Sequence, residues 1–275
     1  MTNLQKEQIR ESLQKYLRTG KMEVIIKKAE IGGKVIVSML NGEWDGLRPE
    51  WWEQVGDALD MNNMDGLYTT KDCEKVMKIC RYATDNCIMI GLTGDTGMGK
   101  THALRAVALR ENVFYTELDL TTNPRVFLRS ILQNMNIGYD GTVHNLLQRV
   151  VTEINRRKNV LLIVDEAGKM NHRIMLCLHT LRDRTNKSCG IVLAGMPEFK
   201  NNLIRGKDSG KGGYAEFFRR VNLWDELTGL DKEEVIQVLA DNGITDASLQ
   251  REFTRYRRFG DLMNEIQLFQ VLKAD

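Results

Sequence analysis

Apolar residues recur along this 275-residue chain with changing period, and the changes divide it into three regions. Over residues 1–65 the spacing is helical. Ile9, Leu13, Tyr16 and Leu17 form one stripe, which Gly20 stops. Val24, Ile25, Lys28 and Ala29 predict a second helix, Gly32-Gly33 a tight turn, and 34–40 a third helix closed by Asn41-Gly42. A fourth, 49–59, carries Trp51, Trp52 and Val55. Helix, short glycine-bearing turn, helix is the spacing of a helix-turn-helix unit. Residues 66–225 alternate strand-like runs (87–92, 113–118, 160–164, 190–194) with helical patterns (100–109, 124–133, 143–157, 173–183, 198–204). Such alternation predicts an α/β fold, a parallel sheet flanked by helices. Residues 226–275 read as helices over 232–242, 247–256 and 261–272, punctuated by Gly243 and Gly260, and are helical throughout.

Composition narrows the function classes. With 42% hydrophobic and 28% charged residues and only three prolines, the balance is that of a folded soluble protein, not a disordered one. Met1 to Glu7 is polar, which argues against a secretory signal, and the longest apolar runs are strand-sized, too short for a bilayer, so no membrane partner is expected. Cys73, Cys80 and Cys87 recur every seven residues, with Cys177 and Cys189 apart and no CxxC pair, so zinc and dithiol chemistry lack support. Reduced, mostly buried thiols in a cytoplasm are expected. The net charge of +2 is uninformative, but its distribution is not: residues 1–42 hold eight Lys/Arg against four Asp/Glu, and 43–70 hold one against seven.

The chemistry concentrates in Gly94-Asp95-Thr96-Gly97-Met98-Gly99-Lys100-Thr101, which follows a strand-like run and opens a helix-like one. Glycines let successive N–H groups converge on phosphate oxygens, and the new helix adds the positive end of its dipole. Lys100 is placed to reach the β- and γ-phosphates and the Thr101 hydroxyl to ligate Mg²⁺, so ATP and Mg²⁺ are the expected cofactors. Some sixty residues on, Val160 to Val164 reads as a buried parallel strand that delivers Asp165 and Glu166. Asp165 is expected to hold the hydration shell of the metal, and Glu166 to polarise the attacking water. Slow hydrolysis, stimulated by a partner, follows. Nothing in the chain matches a dinucleotide fingerprint or a Ser-His-Asp arrangement.

This order of motifs resembles the AAA+ ATPases. The resemblance implies a P-loop NTPase core of that kind and an arginine finger supplied by a neighbouring subunit. Tyr214-Ala215-Glu216-Phe217-Phe218-Arg219-Arg220-Val221 is similar to the family's arginine-bearing box, which points to Arg219 or Arg220 without choosing between them. Two positions depart from the family pattern. The polar sensor after the fourth strand falls near Met196, and the lid arginine expected beyond Gly260-Asp261 meets Leu262 and Met263, with Arg257 and Arg258 just upstream. The departures bear on self-contained hydrolysis and leave nucleotide binding untouched.

Val37-Ser38-Met39-Leu40-Asn41-Gly42 is similar to the end of a repressor recognition helix. That implies DNA contacts from Lys27, Lys28, Lys34 and Ser38, a helical protein-binding module being the alternative. A repressor-like domain ahead of a compact AAA+ core and a short lid resembles the phage Mu B and TnsC-like transposition regulators. The resemblance implies ATP-dependent homo-oligomers, helical filaments on double-stranded DNA with little sequence preference, which recruit and stimulate a transposase. It also implies the cytoplasm of a bacterium or phage-infected host. The matching DNA-tracking stretches are Thr121-Thr122-Asn123-Pro124-Arg125 and Gly141-Thr142-Val143-His144, with Thr122, Arg125 and Thr142 as contacts to phosphate. Thr121 and Asn123 equally serve as a helix cap ahead of Pro124. A replication-type helicase loader or initiator, and a non-hydrolysing ATP-switched regulator, share the nucleotide motifs.

Overall fold

The computed structural model describes residues 3–17, 21–62 and 70–274. They fall into two units, Met1–Leu67 and Tyr68–Asp275. The step expected between residues 65 and 66 lies outside the described residues.

The first unit consists of α1 (Asn3–Tyr16), α2 (Met22–Ala29), α3 (Gly33–Asn41) and α4 (Pro49–Asn62). Their apolar stripes meet in one core that includes Leu13, Ile25, Ile36, Met39 and Trp52. Trp44 closes it. Its ring stands edge-on to Trp52 with centroids 5.3 Å apart, and its indole N–H donates to the Met39 carbonyl at 3.1 Å. Glu30, at φ 53°, ends α2, and Gly42, at φ 80°, ends α3 by donating its N–H to the Ser38 carbonyl. A left-handed residue after the last turn is the usual way a helix satisfies its orphan carbonyls.

The second unit is a five-stranded, wholly parallel sheet in the order β2-β3-β4-β1-β5. The strands are β1 (Met89–Thr93), β2 (Val113–Glu117), β3 (Val160–Asp165), β4 (Cys189–Gly195) and β5 (Val221–Glu226). Around them run α5 (Lys71–Asp85), α6 (Lys100–Val107), α7 (Pro124–Asn134), α8 (Val143–Asn155), α9 (His172–Arg184), α10 (Pro197–Asp208) and α11 (Tyr214–Arg220). Then come α12 (Lys232–Asp241), α13 (Ala247–Phe253) and α14 (Phe259–Ala274). Strands β1, β3 and β4 are buried at every position, as central parallel strands are.

Two elements go beyond the pattern reading. The heptad-spaced cysteines are part of a helix: Cys73, Val76, Met77, Cys80 and Ala83 line the buried face of α5, and Cys87 follows its end. All five thiols are free, four of them buried, and burial pushes Cys80 and Cys189 up to about 12. Strand β5 is half-exposed and mixes polar with apolar residues, so it shows no apolar run. Its Trp224 ring covers β1 where a Cβ on Gly91 would come within 2.3 Å, so only glycine admits the strand–ring contact.

Helices α12 to α14 share a separate core that includes Val235, Leu239, Phe253, Leu262 and Ile266. Their junction with β5 is held by α5. The buried Asp72 carboxylate accepts from the Thr228 N–H at 3.1 Å and the Gly229 N–H at 2.8 Å. Lys75 donates to the Glu226 carbonyl at 2.9 Å. No helix among the described residues is long and apolar enough to cross a membrane.

Candidate functional site

The loop between β1 and α6 begins at Gly94, whose N–H donates to the Gly195 carbonyl at the end of β4 at 3.2 Å. A Cβ there would sit 3.0 Å from the Leu227 side chain. Gly97 and Gly99 hold φ values of 82° and 83°, a conformation that glycine alone adopts without strain, and Gly99 caps α6. Gly97, Met98 and Gly99 thus carry the turn, while Thr96 places its hydroxyl 3.7 Å from the Met196 sulfur.

Lys100 is buried at the first position of α6. Its Nζ donates to the carbonyls of Gly94 at 2.6 Å and Asp95 at 2.9 Å. An ammonium has three donors, so one remains for a ligand. Burial lowers its pKa, while the carboxylates of Asp165, Glu166 and Asp95 act in the opposite sense and favour the charged form.

Asp165 ends β3, buried, with every contact defined. Its Oδ2 accepts from the Thr101 hydroxyl at 2.7 Å and from the Tyr115 hydroxyl at 2.9 Å, and its Oδ1 from the Glu166 N–H at 2.8 Å. Sequence reasoning missed Tyr115, because only the register of β2 against β3 brings it there. Burial raises its pKa, so it remains a donor. Glu166 is half-exposed at φ 53° and forms an ion pair with Lys169 at 3.3 Å.

The donor set suits magnesium. A hydroxyl and a carboxylate, both hard oxygen donors, face each other at the mouth of a loop built for phosphate, and magnesium is commonly held by one or two carboxylates together with substrate phosphates. Among the described residues no group of three or more His, Cys, Asp or Glu gathers to hold a metal by itself, so phosphate oxygens or water have to complete the shell.

Residues 83–203 match the family model of the AAA domain. The second unit has the fold of an AAA+ P-loop NTPase core. Among solved structures, a DNA replication initiation factor matches with a TM-score of 0.51 and 13% identity, over 76% of this chain and 64% of that one. The replication initiator DnaA, bound to AMPPCP and single-stranded DNA, matches with a TM-score of 0.50 and 15% identity, over 75% and 64%. The ORC2 protein of Aeropyrum pernix, in ADPNP–ADP complexes, gives 0.47 and 14%, over 62% and 51%. At such identities the likeness is one of fold, and the chain spans between half and two thirds of those three proteins. No curated protein sequence matches significantly.

In the AAA+ domain the two candidate finger arginines differ sharply. Arg220 is paired with Asp183 of α9 through Nε at 2.6 Å and Nη2 at 2.9 Å, and it also donates to the Glu216 carbonyl. The shared hydrogen bond raises the pKa of Arg220 and lowers that of Asp183. Arg219 is exposed and has no ion-pair partner among the described residues. The sensor position after β4 holds Met196, a thioether that can only accept weakly. Of the two arginines upstream of α14, Arg257 is held by the Leu230 carbonyl at 3.2 Å, whereas Arg258 reaches Asp95 of the phosphate loop at 3.5 Å. The Gly260 N–H donates to the Gly97 carbonyl at 2.8 Å, so the start of α14 touches the loop.

The residues expected at DNA are unequal. Thr122 is 6% exposed and its hydroxyl serves Asp119, at 2.9 Å to Oδ1 and 3.1 Å from the backbone N–H, so its side chain is turned inward and does not face a ligand. Leu120, 87% exposed, stands at the outside of that loop instead. Asn123 caps α7 and Thr142 caps α8. Arg125 lies beside that second cap, paired with Asp140 at 3.0 Å, and the pair holds Asp140 below the usual carboxylate range. In the first unit Lys27 and Lys34 are exposed, and Lys28 and Ser38 half-buried.

Proposed function

We propose that the protein is an ATP-dependent, DNA-binding AAA+ ATPase that assembles on target DNA and recruits and stimulates a transposase. The observation that carries the ATPase part is the convergence of Lys100, Thr101 and Asp165, with Glu166 adjoining, at the end of β1 and β3. In this reading Gly94 to Thr101 bind the triphosphate, Thr101 and Asp165 hold Mg²⁺, and Glu166 acts as general base once released from Lys169. Arg219 or Arg220, at the end of α11, supplies the finger to the neighbouring copy, Arg219 being exposed and Arg220 paired with Asp183.

Transposition is the finer claim. It is supported by the order of parts: a small helical unit with two helices joined by a short turn, the AAA+ core, and three closing helices that form a lid. Lys34, Val37 and Ser38 share one side of α3, which suits a helix laid against DNA, with Lys27 and Lys28 on the helix before it. In the core, Arg125 and Thr142 would track phosphates, Arg125 exchanging Asp140 for a phosphate oxygen. Such binding weakens steeply with salt.

A second reading, a replication-type initiator or helicase loader, is favoured by the fold neighbours, two of which are replication initiation proteins. Sedimentation and electron microscopy with random-sequence duplex DNA separate the readings. ATP-dependent filaments that ignore sequence, and that Lys100→Ala abolishes, are expected. Binding confined to one DNA sequence, or no ATP-dependent assembly, would reject the transposition reading.

A further inference from the structure

We propose that Tyr115 is a positioning residue for the magnesium-holding carboxylate, and that Arg105 keeps it assigned to that task through Glu117. The proposal rests on the reading of the cradle as an ATP–Mg²⁺ site. Tyr115 lies on β2, two residues before Glu117, which pairs in register with Asp165. Side chains two apart on a strand share a face, so the phenol, the Glu117 carboxylate and the Asp165 carboxylate come together beside the cradle.

The phenol has one proton and two carboxylates within reach. Its oxygen is 2.9 Å from Asp165 Oδ2 and 3.3 Å from Glu117 Oε2. Arg105 of α6 decides between them. It donates to Glu117 Oε2 at 2.9 Å and lies over the Tyr115 ring, 5.6 Å from its centroid. With its charge offset by the guanidinium, Glu117 is the weaker acceptor, and the phenol O–H stays directed at Asp165. Asp165 is then held by three donors, from Thr101, Tyr115 and the Glu166 backbone, and cannot swing away from Thr101. A fixed orientation lowers the cost of organising the metal site. Groups that orient a metal-holding side chain commonly change metal affinity by about 10- to 100-fold when removed.

Tyr115→Phe removes the hydroxyl and keeps the ring under Arg105. The measurement is the affinity for N-methylanthraniloyl-ATP as Mg²⁺ is titrated, against the affinity in EDTA. The Mg²⁺ concentration giving half of the affinity gain should rise about tenfold in Tyr115→Phe. Affinity in EDTA should match the parent, and the melting temperature should fall by no more than the few degrees that one lost hydrogen bond brings. Arg105→Gln should raise the same midpoint about threefold in the parent, as expected for a group acting one shell further out, and should add nothing in the Tyr115→Phe background. A midpoint unchanged in Tyr115→Phe overturns the assignment, as does an equal loss with and without Mg²⁺, or an Arg105 effect that persists without the hydroxyl. If the parent itself binds the nucleotide no better than Lys100→Ala, the cradle reading falls and takes this assignment with it. Failure of Tyr115→Phe alone leaves the cradle reading standing.

Discussion

The phosphate cradle and the end of α11 handle charge in opposite ways. In the cradle, Lys100, Thr101, Tyr115 and Asp165 hold one another through short contacts, and none of them requires a second molecule to be placed. At the end of α11, Arg220 spends its charge on Asp183, and Arg219 extends into solvent. One region is satisfied within a single chain; the other leaves an arginine exposed. Under the proposed function, ATP binding is a property of one chain and turnover a property of two. Met196, which follows β4 and faces the Thr96 hydroxyl, adds no charge beside the cradle.

The largest effect that sharpens this contrast concerns the two arginines. Arg219→Ala combined with Arg220→Ala should lower stimulated hydrolysis about 10³-fold or more, the scale of a lost arginine finger, while equilibrium ATP binding stays within about threefold of the parent. A parallel loss of ATP binding would break the contrast. Next, Glu166→Gln should slow turnover by about 10²- to 10⁴-fold while leaving ATP-dependent assembly on DNA in place. Undiminished turnover in that variant would assign the base elsewhere, and absence of turnover in the parent, measured with DNA, would favour a switch that only binds.

The smallest effect concerns the Arg220–Asp183 pair. The pair lowers the pKa of Asp183, so its stabilisation is present above the unfolded value, about 4, and is lost as pH falls through the lower folded value. Asp183→Asn should therefore cost about 0.5 kcal/mol at pH 7 after allowance for solvent screening, and nothing once the parent carboxyl is protonated. Denaturant titrations at pH 7 and in strong acid check both arms. Arg220→Ala should lose the same pair, and Arg219→Ala should leave stability unchanged.

What was legible in the chain was whatever depends on neighbours in sequence. The octet Gly94 to Thr101 requires positive φ at fixed places, and a buried parallel strand ending in Asp165-Glu166 is a continuous apolar run. Both read directly. Tyr115 and Asp183 carry no local signal, because their meaning comes from the pairing of β2 with β3 and from the seating of α11 against α9. The α5 helix was written in the seven-residue cysteine spacing, which marks a buried helical face, and β5 was hidden because an edge strand does not need an apolar run. Thr122 looked like a surface loop residue, yet Asp119 three positions earlier collects its hydroxyl and turns it inward.

The most direct test mixes two crippled chains. Lys100→Ala lacks the cradle and keeps the arginines; Arg219→Ala/Arg220→Ala keeps the cradle and lacks the arginines. Each alone should be inactive in DNA-stimulated ATP hydrolysis, and an equimolar mixture should regain activity, because a site formed between them has every group. A mixture as silent as its components, made from a double variant that still binds ATP and assembles on DNA, would contradict the claim that the site is completed by a second copy.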